Sequence, residues 1–225
     1  MKIIARIHTD FKEKFGIPRQ SGIADELEAK IVFEPEYRVR EAIRGIEDFS
    51  HLWLIWQFSE AVRDGWSPTV RPPRLGGNKR VGVFATRSPY RPNPIGLSSV
   101  VLKSVDFTEN GPVLTVTGAD ILDGTPIYDI KPYLAYTDSH PDAKGGFSDG
   151  VRDYKIEVNF PEELLQKIDT GLHDELISVL EHDPRPSYKK EGEREYGMKF
   201  SDYEIFFEVK DGTLSVTRVD ILDRR

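Results

Sequence analysis

Six of the chain's fifteen prolines fall between Pro68 and Pro94, and they limit what this region can become. Each fixes its own φ, removes a backbone donor and pushes the preceding residue toward extended geometry. Neither a regular helix nor a central sheet strand can run through residues 68–94. The stretch 81–97 (Val-Gly-Val-Phe-Ala-Thr-Arg-Ser-Pro-Tyr-Arg-Pro-Asn-Pro-Ile-Gly-Leu) reads as a short strand over 81–86 that turns into a stiff polar loop. A loop with so little freedom loses little entropy on binding. Arg87, Ser88, Tyr90, Arg91 and Asn93 give it side chains that can meet a polar ligand. A surface turn stiffened for stability is the plainer alternative.

Charge points the same way. The net charge is −7, yet residues 65–105 contain no Asp or Glu. In that block stand Arg71, Arg74, Lys79, Arg80, Arg87, Arg91 and Lys103, so its net charge is +7 and the other 184 residues carry −14. A local positive surface on an acidic protein suits phosphate binding without general stickiness. A dimer face that meets an acidic patch is the alternative. The remaining composition, 38% hydrophobic and 31% charged, is that of a soluble protein. With no cysteine, disulfides, thiolate metal sites and cysteine nucleophiles are excluded. No run approaches a membrane span, and a cytoplasmic location is the default expectation.

Along the chain, residues 2–8 alternate apolar and polar as a strand does, and 29–33 read as a second strand. Between them, Gly16-Ile17-Pro18-Arg19-Gln20-Ser21-Gly22 suggests a shaped loop presenting Arg19 and Gln20. Residues 35–46 read as a helix opened by Pro35 and ended by Gly45. Residues 51–58 (His-Leu-Trp-Leu-Ile-Trp-Gln-Phe) read as a buried central strand, with Ser59 and Glu60 where it ends. Two β-branched runs, 97–105 and 113–118, are joined through Glu109-Asn110-Gly111-Pro112, a turn signal. Asp123-Gly124 is a turn by composition, whereas Asp120 and Asp129 edge apolar runs without an obvious turn role.

Gly76-Gly77-Asn78 lacks the G-x-G-x-x-G spacing and no helix follows, so a Rossmann site and a P-loop are both absent. Asp138-Ser139-His140 invites a hydrolase reading, but three adjacent residues cannot converge as a triad. The histidines show no metal-ligand spacing, so no metal is expected. Beyond Gly150 the pattern becomes two short helices, 161–168 and 172–181, and a hairpin, 203–209 with 213–219. The expected architecture is mainly β with some α: a strand-rich unit over 1–155, then a small α+β unit over 156–225.

Four segments together carry a resemblance: 16–20, 71–78, 82–97 and Asp120-Ile121-Leu122-Asp123-Gly124-Thr125-Pro126. They resemble the TsaA-like family, within it the bacterial TrmO (YaeB) type of tRNA adenine-N6 methyltransferase. Asp183-Pro184-Arg185-Pro186-Ser187-Tyr188 with Tyr196-Gly197 resembles the extra C-terminal domain of that type. The resemblance implies a β-barrel methyltransferase domain, S-adenosylmethionine bound near a homodimer interface, and a tRNA whose threonylcarbamoyl-modified adenosine beside the anticodon is methylated on N6. It carries cofactor contacts onto Pro18, Arg19, Gln20, Ser59, Glu60, Arg87, Leu97, Asp120, Ile121, Leu122 and Asp123. Ser59-Glu60 stands where the family pattern has His-Gln, so contacts there fall to the backbone. Within this frame the 81–86 strand is expected in the barrel. Asp120 and Asp129 are the candidate proton acceptors, and Asn93 or Tyr90 is expected to orient the base. Arg71, Arg74, Tyr90, Arg91, Arg185, Lys189 and Lys190 are the expected tRNA contacts. A non-catalytic RNA-binding or cofactor-sensing module on the same barrel is the alternative.

Overall fold

The structure is a computed structural model that describes residues 1–18, 20–22, 27–72, 79–151, 154–185 and 194–222. Its first half closes into a six-stranded antiparallel barrel of order β1-β2-β7-β6-β3-β8. The strands are β1 (Ala5–His8), β2 (Glu28–Phe33), β3 (His51–Gln57), β6 (Ile95–Thr108), β7 (Gly111–Thr117) and β8 (Pro126–Pro132). Period-two patterning decides which side chains fill it. In β3, Leu52, Leu54 and Trp56 point inward and are buried, while Trp53 and Ile55 face out. In β6 the inward phase is Gly96, Ser98 and Val100. A Cβ on Gly96 would fall 2.2 Å from the Trp56 ring, so only glycine lets that indole lie against β6. Ile7, Ile31, Leu114, Val116 and Ile127 complete the interior.

Three expectations are corrected. Residues 35–46 do not form one helix. The chain instead makes 3-10 turns at Pro35–Tyr37, Arg40–Ile43 and Ile46–Asp48, and in them only Ile43 is buried. One fully buried side chain, with Tyr37 and Ile46 partly covered, gives a helix little face to dock, and Gly45 takes a left-handed φ of 84° between the last two turns. Residues 51–58 are central, but only alternate side chains are buried, because a closed barrel has a single inner face. The 81–86 run contributes nothing to the barrel. Only β5 (Val81–Gly82) pairs as a strand, with β4 (Thr69–Val70) in a separate two-stranded sheet, and a 3-10 turn at Val83–Ala85 follows.

The second half is a four-stranded sheet of order β10-β11-β12-β9. It comprises β9 (Glu157–Asn159), β10 (Tyr196–Phe200), β11 (Tyr203–Lys210) and β12 (Thr213–Ile221), with β9 parallel to β12. Of the helices α1 (Ala135–Asp138), α2 (Glu162–Leu165) and α3 (His173–Glu181), α3 buries Leu176, Val179 and Leu180 against this sheet. The core here also takes residues from far upstream. Phe11 packs edge-on to Phe200 at 6.0 Å, and Phe15 stacks at 6.4 Å on both Tyr196 and Phe207. The Ser201 N–H donates to the Asp10 carbonyl at 3.0 Å, and the Lys199 N–H donates to Glu13 Oε1 at 3.1 Å. Gly16, at φ 97°, leaves no room for a Cβ, which would meet Met198 Sδ at 2.4 Å. The segment leading into the 18–20 loop is thus seated on the C-terminal sheet. Among the described residues, no helix is long and apolar enough to cross a membrane.

Candidate functional site

At one end of the barrel a chain of polar groups runs from the interior to the surface. The Trp56 indole Nε1 donates to Ser98 Oγ at 2.9 Å, and Ser98 Oγ donates to Asp120 Oδ1 at 2.5 Å. Ser98 is fully buried. Burial pushes the Asp120 carboxyl above its ordinary value; the Ser98 hydrogen bond and the charge of Arg87 oppose that shift without cancelling it. Arg87 in turn donates from Nη1 to Gln20 Oε1 at 2.7 Å. Ser21 closes the ring, its Oγ accepting the Ser99 N–H at 3.3 Å while its own N–H favours the ionised Asp120. Gln20, Arg87 and Asp120, residues spread over a hundred positions, therefore meet at one site.

The loop around Arg87 is built by its own hydroxyls. Thr86 Oγ1 donates to the Val83 carbonyl at 2.8 Å and accepts the Ser88 N–H at 3.2 Å; Ser88 Oγ accepts the Tyr90 N–H at 3.3 Å. Arg91 Nη1 donates to the carbonyl of Thr86 at 3.1 Å, so this guanidinium shapes the loop. Tyr90 is exposed, with the Arg63 guanidinium 4.3 Å from its ring centroid. Asn93 is exposed, and its carbonyl accepts the Ile95 N–H at 2.8 Å. The Pro94 carbonyl takes the Phe58 N–H at 2.8 Å, which brings Ser59 and Glu60 beside the proline-rich loop. Both Ser59 and Glu60 are exposed, and Glu60 Oε2 pairs with Lys14 Nζ at 2.9 Å. Pro18 is buried nearby in sequence.

Other expected residues are placed elsewhere. Asp123 is absorbed by the β1 end: Oδ1 accepts the Thr9 N–H at 3.1 Å and Oδ2 pairs with Lys12 Nζ at 2.9 Å. Burial opposes its ionisation, but the Lys12 hydrogen bond and the Thr9 N–H outweigh that and hold its carboxyl below the ordinary value. Ile121 is fully buried, its carbonyl accepting Thr9 Oγ1 at 3.0 Å, and the Leu122 carbonyl accepts the Thr125 N–H at 3.2 Å. Leu97, Ile55 and Asp129 form one cross-strand row on the outer wall. Leu97 is exposed there, and Asp129 pairs with Lys131 at 3.0 Å. That wall also carries a shallow groove lined by Trp53, Ile55, Leu97, Lys131 and His140. Asp138 holds the Trp53 indole at 2.8 Å and the Leu134 N–H at 2.9 Å, a structural use with no nucleophile in it.

Arg185 forms two bonds to Asp183, at 2.8 and 2.9 Å, and both side chains are nearly buried. Arg71 is exposed. Arg19, Arg74, Lys189 and Lys190 lie outside the described residues. Sequence reasoning missed Ser98, Ser21 and Trp56. The signal for Ser98 was a hydroxyl in the inward phase of an otherwise apolar alternation. No cluster among the described residues can hold a metal ion.

A closed antiparallel barrel with a mostly buried carboxyl beside an arginine is a different class of protein from the open parallel sheets that bind dinucleotides. Residues 6–139 match the model of the tRNA-methyltransferase O N-terminal domain, and residues 153–221 match that of the TrmO C-terminal domain. The chain belongs to the TrmO family. It is 40% identical over 221 residues to the tRNA (adenine(37)-N6)-methyltransferase of Escherichia coli, covering 95% of this chain and 94% of that one. It is 39% identical to a putative S-adenosylmethionine-dependent methyltransferase, RcsF, of Pseudomonas aeruginosa, covering 90% and 89%. The crystal structure of TrmO from Pseudomonas aeruginosa superposes with a TM-score of 0.75 at 33% identity over 97% of both chains.

Proposed function

We propose that this protein is an S-adenosylmethionine-dependent tRNA methyltransferase acting on N6 of the adenosine at position 37, next to the anticodon. The observation that carries the reading is the Ser98–Asp120 pair at the rim beside Arg87 and Gln20. Residues 1–155 hold the barrel and that site; residues 156–225 form the unit on which the 10–17 segment is seated.

The residues present fit the cofactor. Arg87 uses one N–H on Gln20, and its fork offers the remaining donors to a carboxylate. When bound, S-adenosylmethionine supplies an electrophilic methyl group. The chain's part is to align the acceptor, exclude water and take a proton. Asp120 is the proton acceptor: a carboxyl raised by burial is a stronger base than a free one. Asp120 would take the N6 proton, so that the nitrogen stays neutral as the methyl group leaves its sulfonium sulfur for N6 and the sulfur keeps the bonding pair as a neutral thioether. Asp129, on the outer wall and paired with Lys131, is the weaker candidate. Tyr90 and Asn93 are exposed on the rigid loop, where a splayed base can be stacked or hydrogen-bonded. Arg71 meets tRNA phosphates. A second copy of the chain is assigned to the outer wall around Leu97, where apolar surface is exposed next to the site.

Incubation with labelled S-adenosylmethionine and tRNA from cells lacking this methyl group is expected to label adenosine 37. Cofactor binding with no incorporation into any tRNA would leave the non-catalytic alternative standing.

A further inference from the structure

Trp66 and Phe84 are exposed aromatic side chains that the site does not use. They are 53% and 72% exposed, with ring centroids 6.0 Å apart and planes at 35°. Both flank the small β4–β5 sheet outside the barrel. Trp66 precedes β4 and Phe84 follows β5, so the pairing of Thr69 with Gly82 brings the two rings to the same end. Val83, next to Phe84 in the chain, is buried, and its N–H donates to the Pro68 carbonyl at 2.9 Å. Arg80 Nη1 is fixed on Thr69 Oγ1 at 2.8 Å. These contacts hold two aromatic faces in the open on a fixed base.

Their electrostatic setting narrows the partner. Among the described residues, none of the nine ion pairs takes a cation from the 65–105 block. Arg71, Lys79 and Arg80 are exposed at the other end of the β4–β5 pair, from which Arg80 reaches back to Thr69, and among the described residues no carboxylate forms an ion pair with them. A second copy docking symmetrically here would set this positive face against itself. An acidic protein would answer the charge but has no need of paired ring faces. Single-stranded nucleic acid answers both, because phosphates meet the cations while bases stack on the rings.

We propose that Trp66 and Phe84 form a stacking platform for an unpaired base of the tRNA anticodon loop, neighbouring the adenosine that is methylated. The inference rests on the tRNA reading above and adds a second nucleotide contact to it. Phe84 lies three residues before Arg87, a span of at most about 10 Å of backbone, so a base held there is one or two nucleotides from the cofactor side.

The test measures binding of a labelled anticodon stem-loop RNA over a range of salt concentrations for the wild type, Trp66→Ala, Phe84→Ala and Trp66→Phe. Each alanine variant is expected to bind about 5- to 150-fold more weakly, with the slope of log K against log salt unchanged because every phosphate keeps its cation. Trp66→Phe keeps most of the affinity. Cofactor affinity and oligomeric state stay as in the wild type. Unaltered RNA affinity in both alanine variants overturns the inference alone. So does a change in oligomeric state that accounts for the weaker binding, which would make the patch an interface between copies. A wild type that binds no tRNA overturns the functional reading and this inference with it.

Discussion

Ser98→Ala removes one oxygen atom and tests the whole interior network. The hydroxyl has two duties: it accepts the Trp56 indole N–H at 2.9 Å and donates to Asp120 at 2.5 Å. Without it, a buried indole N–H has no partner, a cost of about 1–3 kcal/mol, and a charge-assisted hydrogen bond of about 1.5–3 kcal/mol disappears. The two terms share one atom and do not add fully, so a net loss of about 2–4 kcal/mol in unfolding free energy is expected. Urea denaturation at neutral pH measures it, with Ser99→Ala as control. Ser99 takes part in the network through its backbone N–H, so its side chain is dispensable to within about 0.5 kcal/mol. A second readout is kinetic. Because the Ser98 hydrogen bond holds the Asp120 carboxyl down, its removal moves the acid limb of the pH–rate profile to higher pH. A stability loss below about 0.5 kcal/mol, or an acid limb that stays in place, would refute the assignment of Ser98 as the bridge.

Asp120→Asn gives the sign of the linkage. The folded pKa is raised, so the native state binds more protons than the unfolded one between the two values. Asp120's contribution is therefore most favourable below the unfolded carboxylate range and falls as pH rises through the folded value. The wild-type minus variant stability should decline over that window, and a rise would sink the burial argument; methyl transfer should drop about 10²-fold or more. Arg71→Glu should weaken tRNA binding and lower the salt slope by about 0.9 for each phosphate left without its cation, with cofactor affinity unchanged; an unaltered slope refutes its role. Gly16→Ala places a Cβ 2.4 Å from Met198 at a φ of 97°, so a melting experiment should show a loss of about 1–3 kcal/mol or more; wild-type stability would mean the close packing is not real. Glu13→Ala deletes the acceptor of the Lys199 N–H and should weaken cofactor binding several-fold without altering tRNA affinity, whereas Glu13→Gln keeps the acceptor and the affinity; equal losses for both ligands would point to general destabilisation.

What was legible in the sequence followed the range of the physics. The β6–β7 and β11–β12 hairpins are local, and their alternation and turn residues placed them within a few positions. The 35–46 segment failed: its spacing resembles a helix, but the chain turns three times there and buries only Ile43 fully, with Tyr37 and Ile46 partly covered. The 81–86 run failed for a related reason: β-branched residues favour extension, but the barrel was already closed by other strands and only two residues paired. Gln20, Arg87 and Asp120 were each singled out from their local loops, yet nothing local says that they meet. Ser98 was passed over because a serine in a strand is ordinary until the register shows which face it occupies. The aromatic stack of Phe15 on Tyr196 and Phe207 is beyond any local pattern, since its partners are more than 180 positions away.

That long-range seating has a consequence for the order in which the molecule is made. All six barrel strands are present once synthesis has passed Pro132, and their neighbouring pairs can form while the ribosome is still adding residues. The side chains of Phe11 and Phe15 and the close approach at Gly16 lack their packing partners until β10 and β11 exist. In the interval a nascent barrel displays bare aromatic side chains. It is then most exposed to aggregation. A chain arrested at the barrel stage would therefore hold its strand pairs while leaving Phe11 and Phe15 uncovered.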